Sequence, residues 1–251
     1  MSKQTVIITG GSKGIGLDIV KAFVAAGWSV IATARSITAE IESLGDAVRF
    51  VSMDVGNRTD HRLAVDAALA WTGQLNAYVN CAGFSKWSPL ADISEDFLDN
   101  MLQTNVKGVF WGAQAAEKAL AATNGAIINI SSLAGKRGSA NNSSYCASKF
   151  AVNGVTQSLA KELGPQGIRV NALCPVYVKT PGVLEALEEN VSPTNGQDIE
   201  TYLTDFTNSQ TALRRLPTGK EIGEASVFLA SNAASAITGQ CINIDCGVMP
   251  Q

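Results

Sequence analysis

Tyr145 and Lys149 stand four residues apart in a helical pattern, which puts both on one helix face. A phenol titrates near 10 in water, too high for easy proton exchange at neutral pH. A neighbouring ammonium favours the phenolate and lowers that value, so the two form a candidate acid/base unit. Chance also places such pairs on solvated helix faces, so spacing alone does not decide. Ser131 and Ser132 follow the apolar run Ile127-Ile128-Asn129-Ile130. At a strand's C-terminal end either hydroxyl can donate to a substrate carbonyl, or merely cap a turn. Near the N-terminus stands Thr9-Gly10-Gly11-Ser12-Lys13-Gly14-Ile15-Gly16. Its glycines permit a tight turn and close backbone approach to a pyrophosphate. The helix that follows offers free amides and a positive dipole end.

These groups need elements to carry them. Apolar and β-branched runs predict strands over 5–9, 28–34, 48–53, 77–80, 126–130, 169–173 and 241–244. Helical periodicity predicts helices over 15–26, 62–71, 93–120, 144–163 and 220–230. Strands alternating with long helices imply a Rossmann-type, doubly wound α/β fold. Its parallel sheet has about seven strands, with helices on both faces. No repeat or linker divides the 251 residues, so a single domain is expected. Only 181–217 lacks core periodicity, and a polar segment of that length is expected to form a substrate lid.

Composition sets limits. Hydrophobic residues at 46% against 16% charged exclude a disordered chain. A net charge of −3 and 6% aromatics argue against nucleic acid as a partner. No apolar run has transmembrane length, and the N-terminus shows no leader pattern. Cys81, Cys146, Cys174, Cys241 and Cys246 are scattered without CxxC spacing, which points to reduced thiols and the cytoplasm. His61 is the only histidine, so no metal site is expected.

The spacing TGxxxGxG in the glycine loop resembles that of the short-chain dehydrogenase/reductase family. The resemblance runs from Thr5 to Gly247. Asn80-Cys81-Ala82-Gly83 is similar to the family's NNAG motif, with cysteine for the second asparagine. Ser132-Leu133-Ala134-Gly135 resembles its serine segment, and Tyr145-Cys146-Ala147-Ser148-Lys149 its YxxxK motif. The resemblance selects Ser132 over Ser131 and implies hydride transfer between a nicotinamide and a carbonyl carbon. Tyr145 would protonate the oxygen, Ser132 polarise it, and Lys149 lower the tyrosine pKa and bind ribose. Asn105 would join a proton relay. The resemblance also implies cofactor contacts at Gly10, Ser12, Lys13, Gly14, Ile15, Gly16, Asp54, Val55, Asn80, Ala82, Gly83, Pro175, Val176, Val178 and Thr180. A homotetramer built on the long helices, with apolar faces at 109–116 and 151–159, is implied as well.

An NAD site places Asp or Glu at the end of the second strand to hold the ribose 2′-hydroxyl. Ala34 stands there instead, followed by Arg35 and Ser36, and Lys13 lies in the glycine loop. Two cations suit a 2′-phosphate, so NADP(H) is expected over NAD(H). Val176 replaces the family's glycine after Pro175, and Asp245-Cys246-Gly247 replaces Asp-Gly-Gly. The expected substrate is a small ketone or secondary alcohol, including sugars and polyols. A 3-oxoacyl-(acyl-carrier-protein) reductase is the rival reading. Against it, no cation stands in 121–125, and Gln166 occupies a position where such reductases tend to carry arginine. A non-enzymatic nucleotide sensor is a further alternative. The lid holds Glu185, Glu188, Glu189, Asp198, Glu200 and Asp205 and no cation over 181–212. Val183, Leu184, Leu187, Tyr202, Leu203 and Phe206 are its candidate substrate-facing residues. Its negative field would disfavour multiply anionic substrates.

Overall fold

The computed structural model describes residues 3–250. Seven strands form it: β1 (Thr5–Thr9), β2 (Ser29–Ala34), β3 (Val48–Ser52), β4 (Ala77–Asn80), β5 (Ala126–Ile130), β6 (Arg169–Pro175) and β7 (Cys241–Ile244). They pair in parallel throughout, in the order β3-β2-β1-β4-β5-β6-β7. β1, β4 and β5 are buried along their whole length, as strands covered on both faces must be. Successive side chains feed opposite cores. Val6, Ile8, Val79 and Ile128 enter one, and Ile7, Tyr78 and Ile127 the other.

α1 (Gly14–Ala25) and α9 (Gly219–Ala230) pack together over the first core. α3 (Arg58–Thr72), α5 (Gly108–Ala121) and α6 (Ser143–Leu163) cover the second. The strand order turns back between β1 and β4. Both carboxyl ends there open onto one crevice, the place where open α/β sheets bind ligands.

Three details depart from expectation. A short α2 (Ala39–Glu42), too brief to show periodicity, follows β2. The segment 93–120 is not one helix. α4 (Glu95–Leu102) and α5 are joined by a π-type turn, Gln103–Lys107, which seats Asn105 inside. Apolar periodicity persists through the turn, so the sequence pattern hides the break. The segment 181–217, expected to lack core periodicity, carries α7 (Pro181–Leu187) and α8 (Ile199–Gln210). Among the described residues no helix is long and apolar enough to cross a membrane.

Candidate active site

The crevice is walled first by backbone. Thr9 ends β1, and its hydroxyl accepts the amides of Cys81 and Ala82, both at 3.0 Å. This locks the glycine loop to the Asn80-Cys81-Ala82-Gly83 turn. Gly10 has φ +67°, and a Cβ there would lie 2.8 Å from the Cα of Ala82. A Cβ on Gly16 would overlap the Gly10 carbonyl oxygen. Only glycine fits either place. Lys13 caps α1 without any side-chain cap bond, so the dipole end of α1 and its first amides face the crevice. This cradle fits the phosphates of a dinucleotide. Ser12 is held through its carbonyl by the Thr38 hydroxyl at 3.1 Å. Lys13, Arg35 and Ser36 are exposed around the loop, and among the described residues neither cation is in an ion pair.

At the end of β3, the Asp54 carboxylate accepts the Gly56 amide at 2.8 Å, and the Asp54 amide donates to Asp60 at 3.0 Å. On the far side β6 runs on to Pro175. Val176 follows with its amide 3.4 Å from the Ile244 carbonyl. Val176 is not among the residues of positive φ, so valine fits where the family has glycine. Val178 is buried, and Thr180 caps α7 while lying against Gly14.

Between these walls stands a polar cluster. Ser132 caps the turn Leu133–Gly135 by accepting the Ala134 amide at 3.1 Å, and its hydroxyl lies near enough to Tyr145 to favour the phenolate. Lys149 is 6% exposed. Its ammonium donates to the Ile130 carbonyl at 2.9 Å and lies 5.6 Å from the centre of the Tyr145 ring. Asn105, 1% exposed, donates to the Phe84 carbonyl at 3.0 Å and the Ser148 hydroxyl at 3.1 Å, and accepts the Phe84 amide at 3.1 Å. Gly83 rests against both Asn105 and Lys149. Beneath, Asn80 donates to Asn129 and Asn129 to Thr156, both at 2.9 Å, tying β4, β5 and α6 in one buried ladder.

Burial pushes the Tyr145 phenol up to about 12, against the lowering effect of the Ser132 hydroxyl. Burial likewise brings Lys149 down to about 8. Burial is the largest influence on both groups.

The comparisons with known proteins bear on this geometry. Residues 10–249 match the family described as enoyl-(acyl carrier protein) reductase. The chain belongs to the short-chain dehydrogenase/reductase family. It is 33% identical to 3beta-hydroxysteroid dehydrogenase 2 of Eggerthella lenta, over 98% of this chain and 95% of that protein. It is also 33% identical to L-2,3-butanediol dehydrogenase of Corynebacterium glutamicum, over 99% of each. The crystal structure of 3-ketoacyl-(acyl-carrier-protein) reductase from Brucella melitensis complexed with NADH superposes with a TM-score of 0.86. The two are 29% identical, over 98% of each chain. This short-chain dehydrogenase/reductase is thus an oxidoreductase that moves hydride between a nicotinamide cofactor and a ketone or secondary alcohol.

Several neighbours of this short-chain dehydrogenase/reductase site escaped the sequence reading. Tyr177 packs against Tyr202 and Phe206 of α8, ring centres 6.2 and 5.1 Å away, with 3.3 Å between the two tyrosine oxygens. Lys179 pairs with Glu200 at 2.6 Å, which neutralises one lid acid. At the lid's other end Glu189 accepts the Trp87 amide at 2.7 Å, and Asn141 donates to the Val191 carbonyl at 3.2 Å. The segment 181–217 is docked on both flanks of the crevice. Leu187 and Leu203 are fully buried in that docking, whereas Val183, Leu184, Tyr202 and Phe206 stay partly open. The i, i+4 spacing of Tyr202 and Phe206 was the available signal for an aromatic face.

Proposed function

We propose that this chain is a cytoplasmic, homotetrameric carbonyl reductase that uses NADPH to reduce ketones of small neutral molecules to secondary alcohols. The convergence of Ser132, Tyr145 and Lys149 at the carboxyl ends of β4 and β5 carries this reading. A bound nicotinamide supplies hydride to the carbonyl carbon, and takes it back in the reverse reaction. Tyr145 gives its phenolic proton to the carbonyl oxygen. Ser132 donates to the same oxygen and fixes its direction. Lys149, cationic at neutral pH, holds the ribose hydroxyls and favours the phenolate left on Tyr145. Asn105 orders the polar path beside Lys149. Gly10, Ser12, Gly14, Ile15 and Gly16 cradle the phosphates, and Lys13, Arg35 and Ser36 meet the 2′-phosphate. Asp54 and Val55 meet the adenine. Asn80, Ala82 and Gly83 line the middle of the cleft, while Pro175, Val176, Val178 and Thr180 receive the carboxamide.

Burial keeps the Tyr145 phenol protonated at pH 7, the form that carbonyl reduction consumes. Lys13 and Arg35, in no ion pair among the described residues, support NADPH over the NADH of the Brucella enzyme. Reduction of carrier-bound 3-oxoacyl groups is the second reading, favoured by the likeness to that same enzyme. Against it stand the acidic lid and Gln166, which bonds Glu117 at 2.9 Å and offers no cation. The test is kcat/KM for matched neutral and anionic ketones, with NADPH and NADH, at low and high salt. The expected result favours the neutral ketone and NADPH. A consistent preference for the anionic ketone would overturn the substrate reading, and equal efficiency with both cofactors the NADPH reading. No turnover of any carbonyl, with nucleotide bound, would mark a sensor.

A further inference from the structure

The single histidine lies outside the cluster described above, yet it is built into the fold with unusual completeness. His61, in the first turns of α3, is fully buried. Its Nε2 stands 2.9 Å from the Val55 carbonyl oxygen. A carbonyl only accepts, so Nε2 carries the proton. Its Nδ1 stands 2.8 Å from the Tyr78 hydroxyl and must then accept from it. Tyr78 on β4 is itself fully buried, and burial drives its phenol far above the ordinary range, so it remains a donor. Donation thus runs one way, from Tyr78 through the imidazole to Val55.

Asp54 and Asp60, the acids near His61, favour the imidazolium. Burial outweighs them and keeps the ring neutral at pH 7. Burying a polar ring costs free energy unless both nitrogens are satisfied. The fold meets that cost at the one carbonyl next to Asp54. The neighbouring residues are pinned as well. Asp60 accepts the Asp54 amide, and Gln103 of the π-type turn donates to the Gly56 carbonyl at 2.8 Å. Two residues past Tyr78, the same strand carries Asn80 of the cleft.

We propose that His61 is a positioning residue for the adenine end of the cofactor cleft. It fixes the Val55 carbonyl, and through Tyr78 it locks the Asp54-Val55 loop to the strand that carries the opposite wall. This rests on the reading of Asp54 and Val55 as the adenine contacts. His61→Leu removes both bonds, His61→Gln restores a donor toward Val55, and Tyr78→Phe removes only the outer link. Dissociation constants for 5′-AMP and 2′,5′-ADP report the adenosine half of the cleft. The kcat/KM for reduced nicotinamide mononucleotide with one fixed ketone reports the other half. His61→Leu is expected to weaken both adenylates about tenfold and to raise the KM for NADPH. Its kcat at saturating NADPH and its mononucleotide activity should stay at the wild-type level. His61→Gln should recover much of the affinity. Tyr78→Phe, the milder change should His61→Leu not fold, is expected to cost a few-fold in adenylate affinity alone. Wild-type adenylate affinity in the folded variants would overturn the proposal. So would an equal loss of mononucleotide activity, the mark of general disruption. Asp54→Ala separates the two failures. Unchanged adenylate affinity there refutes the reading of the loop itself. A loss there, beside wild-type affinity in the His61 variants, refutes only the positioning role.

Discussion

Tyr145 carries its proton at neutral pH, the form that carbonyl reduction uses. Held near 12, it stays neutral across the working range, while Lys149, held near 8, loses its charge as pH rises through that value. Carbonyl reduction is therefore expected to be flat around neutrality and to fall above about pH 8. Alcohol oxidation, which needs the phenolate, should climb with pH. A pH profile of kcat in both directions checks this, and parallel profiles would contradict it. Tyr145→Phe keeps the ring and removes the proton, so kcat should fall by about 10²-fold or more with nucleotide affinity nearly intact. Retention of about a tenth of the wild-type kcat would refute the role. Arg35→Asp replaces an exposed cation with a hydroxyl acceptor, and the NADPH/NADH ratio of kcat/KM should reverse or vanish. At this scale the sequence displayed residue types and order, so the Tyr145 cluster could be named from motifs. It could not display burial. The protonation state of Tyr145, the two-sided bonding of His61 and the meeting of Tyr177 with α8 all depend on which solvent each atom loses.

The elements were legible wherever one periodicity governed them. β1, β4, β5 and β7 begin and end where the sequence pattern predicts them. The π-type turn between α4 and α5 was not, because one widened turn barely shifts an apolar stripe. It matters nonetheless, since Asn105 and Gln103 both reach inward from it. The turn after β7 shows the opposite case, a sequence departure with a measurable cost. Cys246 has φ +55° in the place where the family carries glycine. Asp245 braces that turn by accepting the amides of Gly247 and Met249 at 2.9 and 2.8 Å. A side chain in the left-handed region is strained. Cys246→Gly should therefore stabilise the fold by about 0.5–1 kcal/mol, after glycine's own entropy cost. Urea denaturation with an unchanged slope measures it, and a destabilised variant would show that the thiol's packing outweighs the strain.

For the whole molecule, alternation of strands and long helices was enough to name the sheet, though not its outward surfaces. The faces expected to pair between subunits turn inward in part, with Val109, Ala113, Ala116 and Val152 buried within the protomer. What α5 and α6 present outward is Phe110 at 44% and Phe150 at 48% exposure. Two large aromatics on neighbouring long helices suit an isologous contact between copies, and a tetramer is expected. Light scattering should give four times the chain mass at micromolar concentration, falling in Phe150→Glu. A wild-type monomer would refute it. One further consequence lies in how the ends of the chain meet. α1, whose N-terminus faces the crevice, packs on α9, with residues 26–218 between them. Contacts so distant in sequence form late. While the protein is being translated, α1 has no partner helix for its apolar face, and the nascent polypeptide leaving the ribosome cannot yet grip a nucleotide. Ligand rescue of folding in the cell, by abundant dinucleotide, can begin only once synthesis is nearly finished.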